Sequence, residues 1–325
     1  MQVLRIENLY KSFFDVEVLK GISLSLSEGE ILSILGESGC GKSSLLGCIA
    51  GFFEINDGKI YIEEKLVASK NLYLPPQNRD VGVLFQDYAL FPHLSVKENI
   101  CFGISNLSKI EQEQRLNELL EILNLNELLC RYPNELSGGQ AQRVALARTI
   151  VARPKIILFD EPFSNLNHTL SVKMRKEIKN ILKMHKLSAI FVTHDKEDAF
   201  YLSDHIALIH EGKILDYNDA YNLYYFPKNI VSAKFLGEAF KLEIDKISNL
   251  AFKEYLHQKN GILRPNDLKI SKIPTPLEAF ILECDFYGDF YELTLNLDGN
   301  IFSIYHNKAL NKGEKIYLEL SIENY

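Results

Sequence analysis

Two short stretches carry residue types spaced to act on a phosphate chain. "GESGCGKS", residues 36–43, fits the pattern G-x-x-x-x-G-K-[S/T]. It follows an apolar run and precedes "KSSLLGCIAG", which reads as a helix. Gly36, Gly39 and Gly41 let backbone N–H groups wrap phosphate oxygens, and the helix N-terminus adds favourable partial charge. The nucleotide would therefore be bound by Gly36, Glu37, Ser38, Gly39, Cys40, Gly41, Lys42, Ser43 and Ser44. Lys42 can reach the β- and γ-phosphates, and the Ser43 hydroxyl can ligate Mg²⁺. The second stretch is "IILFDEP", residues 156–162. An apolar strand there delivers two carboxylates to its end. Asp160 is placed to hold Mg²⁺, directly or through water, and Glu161 to orient or deprotonate an attacking water.

The elements that must position these groups are legible from periodicity. "EGEILSILG" (28–36), "DVGVLFQ" (80–86), "KIILFDE" (155–161) and "AIFVTHD" (189–195) are short apolar runs that end in glycine or polar residues. Strands buried on both faces of a parallel sheet read this way, and ligands bind at the C-terminal edge of such sheets. "VLRIENL" (3–9) and "GISLSL" (21–26) alternate like half-buried strands. Between the apolar runs, Leu170, Met174, Ile178 and Leu182 mark one helix face, and Leu116, Leu119, Leu120 and Leu123 another. Strands alternating with helices predict an α/β domain. After about residue 237 the pattern changes to strands with glycine turns, and Asp298-Gly299 is a hairpin signal. The sequence predicts an α/β domain over 1–237 and a small all-β domain over 238–325.

A third stretch, "LSGGQAQR" (136–143), sets two glycines at a helix start, where each costs about 1 kcal/mol relative to alanine. With the phosphate loop and the acidic pair, it resembles the signature of the ABC ATPases. The resemblance covers the whole chain, tightly over 1–237 and more loosely beyond. It implies ATP and Mg²⁺ as ligands, a helical subdomain over about 87–154, and a homodimer with nucleotide between the copies. Ser137, Gly138, Gly139 and Gln140 would face the γ-phosphate held by the opposite copy, where side chains on the glycines would block the approach. Gln86, in "FQDYALFPHLSV", would sense Mg²⁺ and the attacking water. His194, in "THD", would contact the γ-phosphate. Phe13, in "YKSF", would stack on adenine, with Phe14 the alternative. Tyr88, Leu90 and Phe91 would either bury against a permease or belong to the helical subdomain's core. Three positions depart from the family pattern: "SNLN" stands where S-A-L-D is usual, so Asn167 supplies no carboxylate; Glu37 stands where proline is common and should point outward; and Phe13 replaces Tyr or Trp.

Composition narrows the class. The 325 residues are 46% hydrophobic and 24% charged, ordinary for a globular protein. The formal charge of −7, from 36 basic and 43 acidic residues, argues against a globally basic nucleic-acid binder. Five scattered cysteines form no C-x-x-C pair, which speaks for reduced thiols rather than a zinc site. The N-terminus lacks the apolar centre of a signal peptide, and no apolar run approaches the ~18 residues of a spanning helix. A cytoplasmic protein held at the inner membrane by a partner is the expectation.

"GILRPNDLKI" (261–270), the following strands, Gly288 and "LDG" resemble the OB-like regulatory domain of importer ATPases. That resemblance implies separate integral membrane permease subunits and, indirectly, an extracytoplasmic solute-binding protein. "EGEILSILGESGCGKSSLLGCIAGFF", "LPPQNRDVGVLFQDYALFPHLSV" and "RYPNELSGGQAQRVALAR" are most similar to the ferric iron members. Polyamine, sulfate or another small solute stays open, as does a regulatory or nucleic-acid-associated ABC ATPase outside transport.

Overall fold

The computed structural model describes residues 1–164 and 166–321. Asn165, within the "SNLN" run, and residues 322–325 lie outside them. The chain divides into two compact units, Met1–Ala220 and Tyr221 onward.

The first unit holds two sheets. An antiparallel sheet runs in the order β2 (Val16–Ser27), β1 (Gln2–Phe13), β4 (Asp57–Ile62), β5 (Lys65–Ser69), β6 (Leu72–Tyr73). The β1–β2 hairpin is longer than its alternating core, because Phe14 takes the turn in the left-handed region at φ 51. The other sheet runs β11 (Lys213–Asn218), β10 (His205–His210), β3 (Ile31–Leu35), β9 (Ser188–Thr193), β8 (Ile156–Asp160), β7 (Val81–Leu84). From β10 to β7 every pairing is parallel, and only β11 is antiparallel.

The expected two-faced burial is present residue by residue. On β8, Ile156 and Leu158 join one hydrophobic cluster with α1 (Lys42–Ala50) and the first sheet, while Ile157 and Phe159 join another on the opposite face. Each fully buried Leu or Ile contributes roughly 1.5–3 kcal/mol. The second cluster takes in the helices inserted between β7 and β8: α2 (Val96–Cys101), α3 (Lys109–Leu123) and α4 (Gly138–Ile150). It also holds Met174, Ile178 and Leu182 of α5 (His168–Met184), the face read from the sequence. Helix α6 (Lys196–Leu202) follows β9. Helix α3 ends with the last residue of its apolar face, Leu123. Asn124 turns left-handed at φ 52 and caps it, and a 3₁₀ turn takes up 126–128.

The second unit opens with α7 (Ala220–Tyr225) and α8 (Ile230–Leu236). A short pair, β12 (Phe240–Lys241) with β13 (Ile262–Leu263), flanks α9 (Leu250–Gln258). An antiparallel sheet then runs β14 (Leu268–Ile270), β18 (Lys315–Leu320), β15 (Leu277–Phe286), β16 (Tyr291–Leu297), β17 (Asn300–His306). Asp298 (φ 52) and Gly299 (φ 82) make the two-residue turn that their sequence predicts. Arg264 ties α7 and α8 to this unit, donating to the carbonyls of Tyr224 (2.8 Å), Glu238 (3.2 Å) and Ala233 (3.2 Å).

Candidate active site

Strand register gathers the candidate groups at one edge. Leu35 of β3 pairs with Thr193 of β9, Asp160 of β8 with Val192, and Leu84 of β7 with Phe159. The next residues along these parallel strands are Gly36, His194 and Glu161, with Gln86 just past β7. Side chains spread over almost 160 positions of sequence thus converge at the C-terminal edge of the sheet, where the first unit offers backbone and polar groups together.

The loop 36–41 is shaped by close approach. A Cβ on Gly36 would lie 2.4 Å from the Ile209 carbonyl oxygen and 2.7 Å from Cys40 Sγ. Gly41, at φ 106, starts α1 with Leu19 and Val18 packed beneath it. Gly39, at φ 83, faces open space with nothing within 4 Å, which leaves room for a phosphate against its backbone. Lys42 is buried, and its Nζ donates to the carbonyls of Gly36 and Glu37, both at 2.8 Å. The ammonium is thereby held inside the curl of the loop. Glu37 is exposed. Arg79, a residue the sequence reading did not single out, is 1% exposed and donates to the carbonyls of Cys48 (2.6 Å) and Ile49 (3.1 Å). A cation at the C-terminal end of α1 offsets the partial negative charge there. Its partners at the end of α1 lie about thirty positions away, so no local pattern marks this role.

At the strand end, Ser43 Oγ donates to Asp160 Oδ1 at 3.2 Å. Burial raises the Asp160 carboxyl above its ordinary range, against the Ser43 hydrogen bond. This hydroxyl and carboxylate are hard oxygen donors and fit Mg²⁺. Among the described residues, no group of three or more His, Cys, Asp and Glu side chains could hold a metal by itself. Glu161 sits in the left-handed region at φ 45, its N–H bonded to the Val192 carbonyl at 2.9 Å. Its Oε2 lies 3.2 Å from His194 Nδ1. The strained backbone turns this carboxylate off the strand and toward the histidine. Burial also lifts the Cys48 thiol of α1 to about 12, which marks it as a core residue.

The remaining candidates sit around this centre. Phe13 is half-buried, edge-on to Phe53 with centroids 5.1 Å apart, and Lys11 Nζ lies 4.6 Å from its ring. Phe53 in turn fills the space that a side chain on Gly47 of α1 would take, 2.5 Å away. Phe14 is fully exposed at the hairpin turn. Gln86 is exposed. Ser137 is the N-cap of α4, and its N–H donates to Gln140 Oε1 at 2.9 Å. A Cβ on Gly138 would come no nearer than 3.8 Å to any neighbour, and one on Gly139 no nearer than 3.5 Å. Neither glycine has a positive φ. The fold itself therefore does not demand this pair. Among the described residues, no hydrogen bond or ion pair joins 137–140 to the loop 36–44 of the same chain. Asn167 caps α5, accepting from the Leu170 N–H at 2.9 Å.

Tyr88 and Leu90 pack partly against the helical cluster, and Phe91 lies 4.5 Å from Phe102. Arg148 of α4 donates to the carbonyls of Ala89 (2.7 Å) and Tyr88 (2.9 Å), which hold left-handed conformations at φ 46 and 62. Among the described residues, no helix is long and apolar enough to cross a membrane.

The ABC transporter family model matches residues 19–164. The chain is 39% identical to the Fe(3+) ions import ATP-binding protein FbpC of Haemophilus influenzae, over 91% of this chain and 90% of that protein. It is 42% identical to the spermidine/putrescine import ATP-binding protein PotA of Thermotoga maritima, over 79% of this chain and 69% of that protein. The solved dimeric structure of MJ0796, a bacterial ABC transporter cassette, superimposes with a TM-score of 0.58 at 29% identity, covering 66% of this chain and 98% of that one. With a phosphate loop, a paired carboxylate and histidine at the sheet edge, and likeness running through both units, the chain belongs to the ABC transporter family as an import ATP-binding subunit, an ATPase.

Proposed function

We propose that this ATPase drives the uptake of ferric iron, acting as a homodimer on the cytoplasmic face of the inner membrane through separate permease subunits. The solute reading rests on the breadth of the likeness: the match to the iron importer's subunit takes in 91% of the chain, against 79% for the polyamine importer's subunit. Polyamine uptake by the same mechanism is the second reading, supported by the comparable identity of that match.

The observation that carries the hydrolytic reading is the pairing of Glu161 with His194 at 3.2 Å, beside Ser43 and Asp160. The backbone of 36–41, with Ser44 beyond it, cradles the phosphates, and Lys42 turns from its own carbonyls to the β- and γ-oxygens. Phe13 supports adenine. Ser43 and Asp160, with Gln86, would hold Mg²⁺, which would neutralise charge on the phosphates. Glu161 orients the water and takes its proton, and His194 contacts the γ-phosphate. Ser137 to Gln140 of the second copy close the site. A Cβ on Gly138 or Gly139 would find only ordinary van der Waals contacts, so no neighbour in the chain requires glycine there, which supports that role. Tyr88, Leu90 and Phe91 form the surface offered to the permease.

Glu161→Gln tests the assignment. This variant should bind ATP and form the ATP-trapped dimer, while turnover falls at least about a hundredfold, the scale of a lost general base. Near-normal steady-state hydrolysis would refute the role.

A further inference from the structure

We propose that Arg175 is a positioning residue for hydrolysis: from α5 it holds the residues on both sides of His194, and so sets that imidazole against Glu161. The inference rests on the reading of Glu161 and His194 given above. The Arg175 side chain is 8% exposed and meets three carboxylates. Its Nη2 lies 3.0 Å from Asp195 Oδ2 and its Nη1 3.3 Å from Glu197 Oε2, while Nε bonds Asp198 Oδ1. The other Asp198 oxygen accepts from Thr193 Oγ1 at 2.9 Å, and that hydroxyl accepts from the Asp195 N–H at 3.0 Å. Thr193 and Asp195 flank His194 in the chain. Both neighbours of the histidine are therefore tied, directly or through Asp198, to one guanidinium on another helix.

The network does more than hold α6 together. Asp195 already caps that helix, accepting from the Glu197 N–H at 2.8 Å, and acidic residues in a first turn are favourable without help. What Arg175 adds is the placement of β9's end against α5. Helix α5 itself starts at His168, a few residues beyond Glu161. A cavity of about 270 Å³ opens between these segments, lined by Glu161, His168, Arg175, Thr193, His194 and Asp195 among others. A planar fork of five donors can serve three carboxylates at once; a lysine cannot.

The test uses the full-length protein in steady-state ATP hydrolysis. Arg175→Gln should lower kcat about tenfold or more, as a misplaced catalytic group does, and leave the KM for ATP within about twofold. Arg175→Lys should recover only part of the loss. In a His194→Ala background, Arg175→Gln should cost nothing further, because it acts through that side chain. A folded Arg175→Gln with wild-type kcat would overturn the proposal, as would an undiminished loss in the His194→Ala background. Should Arg175→Gln fail to fold, Asp195→Asn serves in its place, since that side chain is 41% exposed; it should show the same split, and an unchanged kcat would overturn the proposal. A fully active His194→Ala would sink the reading of His194 and this proposal with it. An inactive His194→Ala beside fully active Arg175 and Asp195 variants would sink this proposal alone.

Discussion

Gly138 and Gly139 give the clearest residue-scale test, because structure and function pull in opposite directions there. Both lie in the first turn of a helix, neither needs a positive φ, and both have room for a methyl group. Replacing glycine by alanine at such sites stabilises a helix by roughly 0.5–1 kcal/mol. We therefore expect Gly138→Ala and Gly139→Ala to unfold at the same or higher urea concentration than the natural protein. ATP-driven dimerisation and turnover should fall severalfold or more for Gly138→Ala, whose exposed methyl group would meet the nucleotide of the proposed second copy, and less for Gly139→Ala, whose methyl group would pack 3.5 Å from Leu170 of its own chain. Loss of stability with intact turnover would show that the glycines serve the fold. Lys42 illustrates the converse. Its charge is already satisfied by two carbonyls inside its own loop, so the loop keeps its curl before any nucleotide arrives.

At the scale of elements, the helices inserted between β7 and β8 depend on their caps. Ser95 and Glu98 bond reciprocally at the start of α2, and Ser108 and Glu111 do so at the start of α3. The Ser95 hydroxyl holds the Glu98 carboxyl below its usual range, and Ser108 does the same for Glu111. A carboxyl depressed in the folded state contributes stability that is fully present above the unfolded value, about 4.3 for Glu. That contribution is lost as pH falls through the lower, folded values. The stability gap between the natural protein and the Ser95→Ala, Ser108→Ala double variant should therefore narrow on acidification. Urea denaturation between neutral pH and about pH 3 measures it, and a gap that stays constant would show that these caps do not depend on ionised glutamates. The apolar repeat foretold α3 up to Leu123, and the left-handed turn at Asn124 ends it there.

For the whole molecule, the decisive quantity is flux. In cells lacking this protein, uptake of labelled ferric iron should be lost and then restored by the natural chain but not by Lys42→Ala. Labelled spermidine and sulfate uptake should be unchanged. Loss of spermidine uptake instead would move the solute to the second reading and keep the mechanism. The comparable likeness to iron and polyamine importer subunits leaves the solute to this cellular measurement.

Sequence alone determined the phosphate loop, the acidic pair, the parallel strands and the Asp298-Gly299 hairpin. Each is a local matter: backbone freedom at glycines, side chains at fixed offsets, alternation along one strand. The resemblance carried by "LSGGQ" extended this to the family. Tertiary structure decided the rest. It set Glu161 Oε2 against His194, brought Arg79 to the end of α1, and placed Arg175 among the carboxylates around the histidine. These contacts join residues some twenty to thirty-odd positions apart on separate elements. Their energy comes from charged and polar groups finding partners across the packed sheet and helices, and no spacing rule along the chain encodes which partner that will be.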